Sequence, residues 1–313
     1  MMKILSWFLS LQLVASCSMM GGPVTRRTPL DPQRSSAQQN KNVKDFNPIR
    51  KKIALLSFFN EAPFGGEDLA IQATEEFRRE VARSRDYLVD PTAAQIFGSS
   101  KDIYSGGGVK LAQLTRKAKM AGVNLVVFGR ITDARIRQAS DEIGFVRKTK
   151  ALAETKVEIK VFDVISSKEL LSDVVDGTVH DDNFRFYITE EEENLAYRQD
   201  LLRYSTRVAV RKFLPRLIQI GSKLDWTGRV AKIIGTKIYV NAGRESGINI
   251  GDILKVITEG QDIYDPETGA LIGVSKGDVK GTLEVSDYFG PDGAIAILHS
   301  GGSVTEGDFV QLY

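Results

Sequence analysis

Apolar residues change their spacing along this chain several times, and each change marks an element. One mainly apolar stretch, Ile4 to Ala15, follows a single positive charge at Lys3 and ends in small residues. A basic start and a short hydrophobic stretch read as a secretory signal. The run is well short of the roughly 20 apolar residues that cross a ~30 Å hydrocarbon layer. From Ser18 to about Arg50 large apolar side chains thin out, and proline, glycine, serine, glutamine and asparagine take their place. That composition buries too little to offset its ordering entropy and predicts a flexible tether. As a random coil it reaches roughly 30 Å.

The texture then becomes that of a folded domain. "KKIALLSFFN" is a short apolar run expected as a buried strand. In "DLAIQATEEFRREVARS", Leu69, Ala73, Phe77 and Val81 share one helical stripe. A short strand "YLVD" follows, then a helix over "DPTAAQIF" with Asp90 as cap and Pro91 at its first position. The glycine cluster "SGGGVKLAQLTRKAKMAG" leads into a helix carried by Leu111, Leu114 and Ala118 and closed by Gly122. "NLVVFGRI", "KVEIKVFDV" and "LLSDVVDGTV" are expected as strands, the last two joined at "ISSKE". A long helix is predicted from Thr189, with Glu192 completing a capping box, toward Gly221, kinked or interrupted at Pro215. Alternating helices and strands imply a mixed α/β sheet with flanking helices.

From about Asp225 the pattern shifts to short β-like runs broken by glycine, which predicts a small all-β barrel or sandwich. "INIGDILKV" and "VTEGDFVQL" echo each other. Gly251-Asp252 and Gly307-Asp308 are expected to make equivalent turns in which glycine takes a backbone angle costly for other residues. The domains expected are therefore a signal peptide at 1–16, a lipidated tether at 17–50, an α/β domain at 51–221 and a small β domain at 225–313.

Composition narrows the chemistry. A net charge of +2 argues against bulk neutralisation of nucleic acid. One cysteine, Cys17, excludes an internal disulfide framework and any cysteine-rich zinc site. Neither glycine cluster carries the lysine and hydroxyl of a phosphate loop or a dinucleotide fingerprint. His180 stands beside Asp181 and Asp182, but neighbours on a strand point to opposite faces, so a surface turn is the better reading. The acidic "TEEEEN" suits a helix start, where carboxylates oppose the dipole. His299 has no companion in the sequence, and Asp252 and Asp308 are isolated from the repeated carboxylates of a calcium loop. No nucleophile, base and orienting group come together, so the chain is read as no enzyme, with no catalytic residue, cofactor or metal.

Val14-Ala15-Ser16-Cys17 resembles a bacterial lipobox. The resemblance implies cleavage between Ser16 and Cys17, diacylglycerol on Cys17, and passage to the outer membrane because Ser18 rather than aspartate follows. Several acyl chains on one residue anchor stably, at about 0.8 kcal/mol per buried methylene. The basic residues Arg26, Arg27, Arg34, Lys41, Lys44 and Arg50 beyond it read as a solvated spacer, with attraction to anionic lipid or cell wall as the sharper alternative.

"IALLSFFN", "KMAGVNLVVFGRITDA" and "VEIKVFDVISSKELLSDVV" together resemble the curli-secretion CsgG family and its relatives: TolB amino-terminal domains, LpoB, and the middle domain of FlgT. "GRVAKIIGTKIYVNAGRESGINIGDILKV", "DPETGALIG" and "GDFVQL" resemble the FlgT carboxyl-terminal domain. These resemblances imply a non-catalytic, periplasm-facing outer-membrane lipoprotein, an assembly or scaffold component of an envelope machine, with the flagellar basal body favoured. An activator of a peptidoglycan synthase and an oligomeric secretion channel are the alternatives. The channel needs hairpins with one apolar, lipid-facing register. "ITDARIRQASDEIGFVRKTKALAET" offers Asp133, Arg135 and Arg137 in one register and Ala134, Ile136 and Gln138 in the other, so a water-soluble hairpin or loop is predicted. The partners expected are outer-membrane lipid through Cys17, periplasmic or basal-body proteins, peptidoglycan, and further copies of the chain in a ring. No nucleic acid is expected.

Overall fold

The computed structural model describes residues 48–140, 149–181, 191–269 and 271–313. Ser16, Cys17, the tether to residue 47, Thr189 and Asp182 lie outside the described residues. The chain folds as a mixed α/β sheet with flanking helices, followed by a closed all-β barrel. Residues 47–313 make one compact unit.

β1 (Lys51–Leu55) lies second from one edge of the first sheet, parallel to β3 (Tyr87–Val89) on one side and to β4 (Leu125–Ser140) on the other. Its last three residues are buried, as a strand covered on both faces requires. The chain reaches β3 through α1 (Gly66–Arg83), and β4 through α2 (Ala93–Phe97) and α3 (Ser100–Ala121). β5 (Thr149–Asp163) and β6 (Lys168–Asp181) then add antiparallel, giving the order β3-β1-β4-β5-β6, while β2 (Phe59–Asn60) pairs with β4. α4 (Glu191–Gly221) returns across the sheet. The stripe of α1 and Phe213 and Leu217 of α4 pack with Ile53, Leu55, Val127 and Ile159. On the opposite face Phe97, Ile103, Leu114 and Ala118 pack with Leu56, Val126 and Phe162. This is a three-layer arrangement.

Three local expectations are corrected. α2 starts at Ala93 rather than at Pro91, because the Asp90 carboxylate accepts from the Thr92 N–H (2.8 Å) and hydroxyl (2.7 Å), closing a turn before the helix. The glycine cluster does not precede α3 but lies inside it. Asp102 accepts from the Ser99 N–H (3.1 Å) and hydroxyl (3.0 Å), so the start is capped upstream. Burial of Ile103, Leu114 and Ala118 outweighs the roughly 1 kcal/mol that each helical glycine costs. Pro215 does not interrupt α4; it sits on the exposed side, between the buried Phe213 and Leu217. Gly122 closes α3 as expected, in the left-handed region at φ 68°.

β4, β5 and β6 are 16, 15 and 14 residues long, about three times the usual strand. Alternation sustains them, with a bulge between Ile131 and Asp133 of β4 that brings Ala134 onto the same face as Ile131. Ile131, Ala134, Ala151, Ala153, Val157 and Val175 face α1 and α4 and are buried. Arg130, Arg135, Glu154, Glu158 and Lys160 face away. The apolar register containing Ala134 and Ile136 therefore packs in the same core as Leu201 and Leu202 of α4. The charged register pairs within itself, Arg135 with Asp133, and Arg135 and Arg137 each 3.7 Å from Glu154. Residues 141–148, the end of that hairpin, lie outside the described residues.

The barrel comprises β7 (Gly228–Ile234), β8 (Lys237–Val240), β9 (Ile253–Ile257), β12 (Val279–Phe289), β13 (Gly293–Gly301) and β14 (Phe309–Leu312), closed in the order β12-β13-β8-β7-β14-β9. Exchanging β7, β8 and β9 for β12, β13 and β14 leaves every pairing in place, so two copies of one three-stranded unit interlock. The two Gly-Asp turns are the signature of that duplication. Gly251 (φ 87°) donates to the Val285 carbonyl at 2.8 Å, and Gly307 (φ 95°) to Val230 at 2.9 Å. Asp252 accepts from the Asn249 N–H (2.7 Å) and Asp308 from the Thr305 N–H (2.8 Å). Between the copies, β10 (Asp262–Tyr264) and β11 (Leu271–Val274) form a separate two-stranded ribbon.

The helix–sheet contact is tightest at Gly177 of β6. A Cβ there would stand 1.8 Å from the Ser205 carbonyl oxygen and 2.7 Å from the Ala209 nitrogen, both backbone atoms of α4. Gly177→Ala is expected to destabilise the unit by about 2 kcal/mol, since α4 cannot yield without lifting off the sheet. Urea denaturation at unchanged slope checks this.

Candidate functional site

A network of buried and partly buried polar groups lies where the barrel meets the α/β elements. Asn124, at the start of β4, is 3% exposed; its side-chain oxygen accepts from the Lys52 N–H at 2.8 Å, and its amide donates to the Thr227 carbonyl and hydroxyl at 2.8 and 2.6 Å. Two barrel residues add to the Gly122 cap at the end of α3, where the last carbonyls lack i+4 partners within the helix. Arg229 donates to the Lys119 carbonyl (2.6 Å) and Asn241 to that of Ala121 (3.2 Å). The Lys52 ammonium meets the Asp292 carboxylate at 3.0 Å and also reaches the Asn241 carbonyl. Asp292 further accepts from the Gly243 and Ser246 N–H groups (both 2.9 Å) and the Ser246 hydroxyl (2.6 Å). Burial by itself pushes this carboxyl up. The Ser246 hydrogen bonds and the Lys52 charge together outweigh burial and hold it below the usual carboxylate range.

A second polar cluster lies on the outward side of the long strands. Arg130 stacks 4.6 Å over the Tyr104 ring and pairs with Glu158 (2.5 Å) and Glu61 (2.9 Å), while Lys160 reaches Glu169 at 3.5 Å. Burial first, then the Glu158 carboxylate, push the Tyr104 hydroxyl above the usual phenol range. Each acid here faces a cation and the phenol stays protonated, which is the chemistry of a braced surface rather than of proton transfer.

One concave site is mainly apolar. Phe64, Ile136, Leu195, Leu201 and Leu202 line a hollow of about 400 Å³ beside the start of α4, with Asp68 and Arg198 also in its wall. Phe64 and Leu195 are 60% and 58% exposed. The hollow can bury an apolar side chain from outside.

The residues singled out in the sequence are scattered. His180 is exposed near the end of β6, opposite Leu152 on β5. His299 lies on β13 with Nδ1 3.9 Å from Glu284, an exposed pair. Asp252 and Asp308 close the barrel turns, Asp308 also holding Lys280 at 2.8 Å. Among the described residues no group of three His, Cys, Asp or Glu side chains is placed to hold a metal, and no helix is long and apolar enough to cross a membrane. The seam residues carried no sequence signal: Lys52 reads as the start of a strand and Asp292 as part of a "GPDG" turn.

No family model matches the chain, and no curated protein matches it in sequence. Solved structures do overlap it. A hypothetical protein from Chlamydia trachomatis overlaps 55% of this chain and 98% of its own, at 14% identity and a TM-score of 0.37. A lipoprotein from Neisseria meningitidis overlaps 48% of this chain and 97% of its own (14% identity, TM-score 0.26). The LpoB carboxyl-terminal domain from Salmonella enterica overlaps 46% and 90% (14% identity, TM-score 0.27). These values assign no function to this chain.

Asp292→Asn keeps the hydrogen-bonding shape but leaves Lys52 without its counter-charge, and is expected to cost about 1–3 kcal/mol near pH 7. Because the folded carboxyl sits below its unfolded value, this contribution is full above the ordinary carboxylate range and fades as pH falls through the folded value. The stability gap between the native chain and the variant should therefore shrink on acidification, as denaturant titrations from pH 7 to pH 3 would show.

Proposed function

We propose that this chain is a non-catalytic lipoprotein of the bacterial envelope. It is held to the outer membrane through Cys17 and presents its folded unit to periplasmic proteins as a scaffold component, with the flagellar basal body the favoured machine. The observation that carries this reading is the lone cysteine placed directly after an apolar run and small residues, with the polar residues 18–50 between it and the folded unit. The seam supports a scaffold role, because α/β elements and barrel locked by Asn124, Arg229 and the Lys52–Asp292 pair transmit position as one body. The charged outward face of β4 and β5 weighs against a lipid-embedded hairpin, since a basic residue at the bilayer midplane costs about 2–4 kcal/mol.

Cys17→Ala is expected to move the chain from the membrane fraction to the periplasmic extract, and a chain still sedimenting with membrane would sink the anchor. Tomography of flagellar motors in a deletion strain should show density missing from the basal body; an unchanged basal body counts against the flagellar assignment. Detergent-stable rings with a lipid belt would replace the scaffold with a secretion channel. A purified synthase polymerising faster with the chain would replace it with an activator.

A further inference from the structure

Charge is divided unevenly along the folded part of the chain. Residues 48–224 carry 29 lysines and arginines against 25 aspartates and glutamates, whereas residues 225–313 carry 7 against 13. The surplus of each sign is largely carried by one stretch. α3 holds Lys101, Lys110, Arg116, Lys117 and Lys119 against one acid, Asp102, which is engaged in the cap with Ser99. The stretch from Thr258 to Asp278, which contains the β10–β11 ribbon, holds Glu259, Asp262, Asp265, Glu267 and Asp278 against Lys276.

On the face made by α1 and α4, cations meet carboxylates: Arg79 and Arg207 reach Glu76 at 2.9 and 3.0 Å, Arg211 reaches Glu80 at 2.8 Å, and Lys212 reaches Asp176 at 3.0 Å. On α3, Lys119 is the one cation within ion-pair distance of a carboxylate among the described residues; its partner is Glu259, at the ribbon's base, at 2.9 Å. Lys168 also reaches the ribbon, through the Ile272 carbonyl at 2.9 Å rather than through an acid. Arg116 and Asp262 line one cleft of about 580 Å³ beside the ribbon and form no ion pair. Lys110 and Lys117 are not in its walls. Seven residues apart, they share one side of α3, about two turns along. That side is toward α2, where the Lys117 Nζ lies 3.5 Å from the Ile96 carbonyl. The molecule's own ribbon therefore lies on the Lys119 side of α3, and Lys110 and Lys117 are exposed. Each surface also presents large apolar side chains, Met120 (69% exposed) and Ile96 (40%) beside the lysines, Tyr264 (55%) and Ile272 (56%) on the ribbon. Apolar anchors framed by complementary charge are the anatomy of a specific protein contact.

We propose that the basic side of α3 is the docking surface for the acidic ribbon of a second molecule of this chain. Lys110 and Lys117 take Asp262 and Glu267 of the incoming ribbon, while Met120 and Ile96 receive its Tyr264 and Ile272. Opposite charge sets the approach and the register, and the apolar contacts supply the affinity that exposed ion pairs lack. A second molecule is the partner the charges favour, because both complementary surfaces are on this chain. Both belong to the folded unit and stand whether or not Cys17 is acylated.

The full chain carrying Cys17→Ala, which removes the anchor, is followed by sedimentation velocity at rising concentration in low and in high salt. It should self-associate in low salt and dissociate in high salt. Lys110→Glu with Lys117→Glu and, separately, Asp262→Lys with Glu267→Lys, each shown to be folded by an unchanged melting midpoint, should weaken self-association roughly tenfold. An equimolar mixture of the two double variants should associate again, because the reversed surface of each meets the native surface of matching sign on the other. A chain that stays monomeric in low salt, self-association that both charge reversals leave unchanged, or a mixture that fails to recover overturns the proposal. A monomer that floats with phosphatidylglycerol vesicles, and ceases to with Lys110→Glu and Lys117→Glu, overturns it in favour of an anionic lipid surface.

Discussion

The Asp292 carboxylate sits in a barrel hairpin turn and takes its counter-charge from Lys52, in β1 of the other sheet. Around this pair, Asn124 bridges two main-chain segments to Thr227, and Arg229 and Asn241 finish the end of α3. The joint is polar and largely buried, which makes it directional. An apolar contact of the same area tolerates sliding, whereas a set of short hydrogen bonds to fixed carbonyls holds one relative position. Gly122 caps α3 from within its own sequence, and the barrel's Arg229 and Asn241 add hydrogen bonds to the Lys119 and Ala121 carbonyls of that last turn.

The second constraint is the division of labour across the long strands. One register of β4, β5 and β6 is small and apolar because α1 and α4 lie on it, as closely as Gly177 permits. Much of the opposite register is charged, and its residues neutralise one another across strands: Arg130 with Glu158, Lys160 with Glu169, Arg135 with Glu154. Cross-strand pairs of this kind add little stability each, but they keep a wide sheet face wet and in register.

Periodicity made much of the fold legible. The α1 stripe, the closing glycine of α3, the strand identities and the barrel's turn pairs all appear in the spacing of apolar residues and in single glycines, because each depends on neighbours within a few positions. Where local signals competed, the reading slipped. Three consecutive glycines suggested a loop, yet a cap at Ser99 and burial of Leu114 and Ala118 carry the helix through them. Pro215 suggested a break, yet its ring lies on the solvent side of a helix held down by Phe213 and Leu217. The duplication in the barrel showed only as two Gly-Asp echoes, since pairing symmetry is conserved by geometry and barely by residue identity.

By itself the sequence determined the texture of each segment: a mainly apolar stretch before Cys17, a stretch poor in large apolar residues, an α/β pattern and a glycine-punctuated β pattern. These are local properties, set by hydrophobic period and turn chemistry. Only the tertiary structure decided how the last two are joined, which strand edges are left free, and that Lys52, Asn124, Arg229 and Asp292 matter at all. Those four are far apart in the chain and individually ordinary, and they acquire meaning when burial displaces water and leaves protein groups to satisfy them.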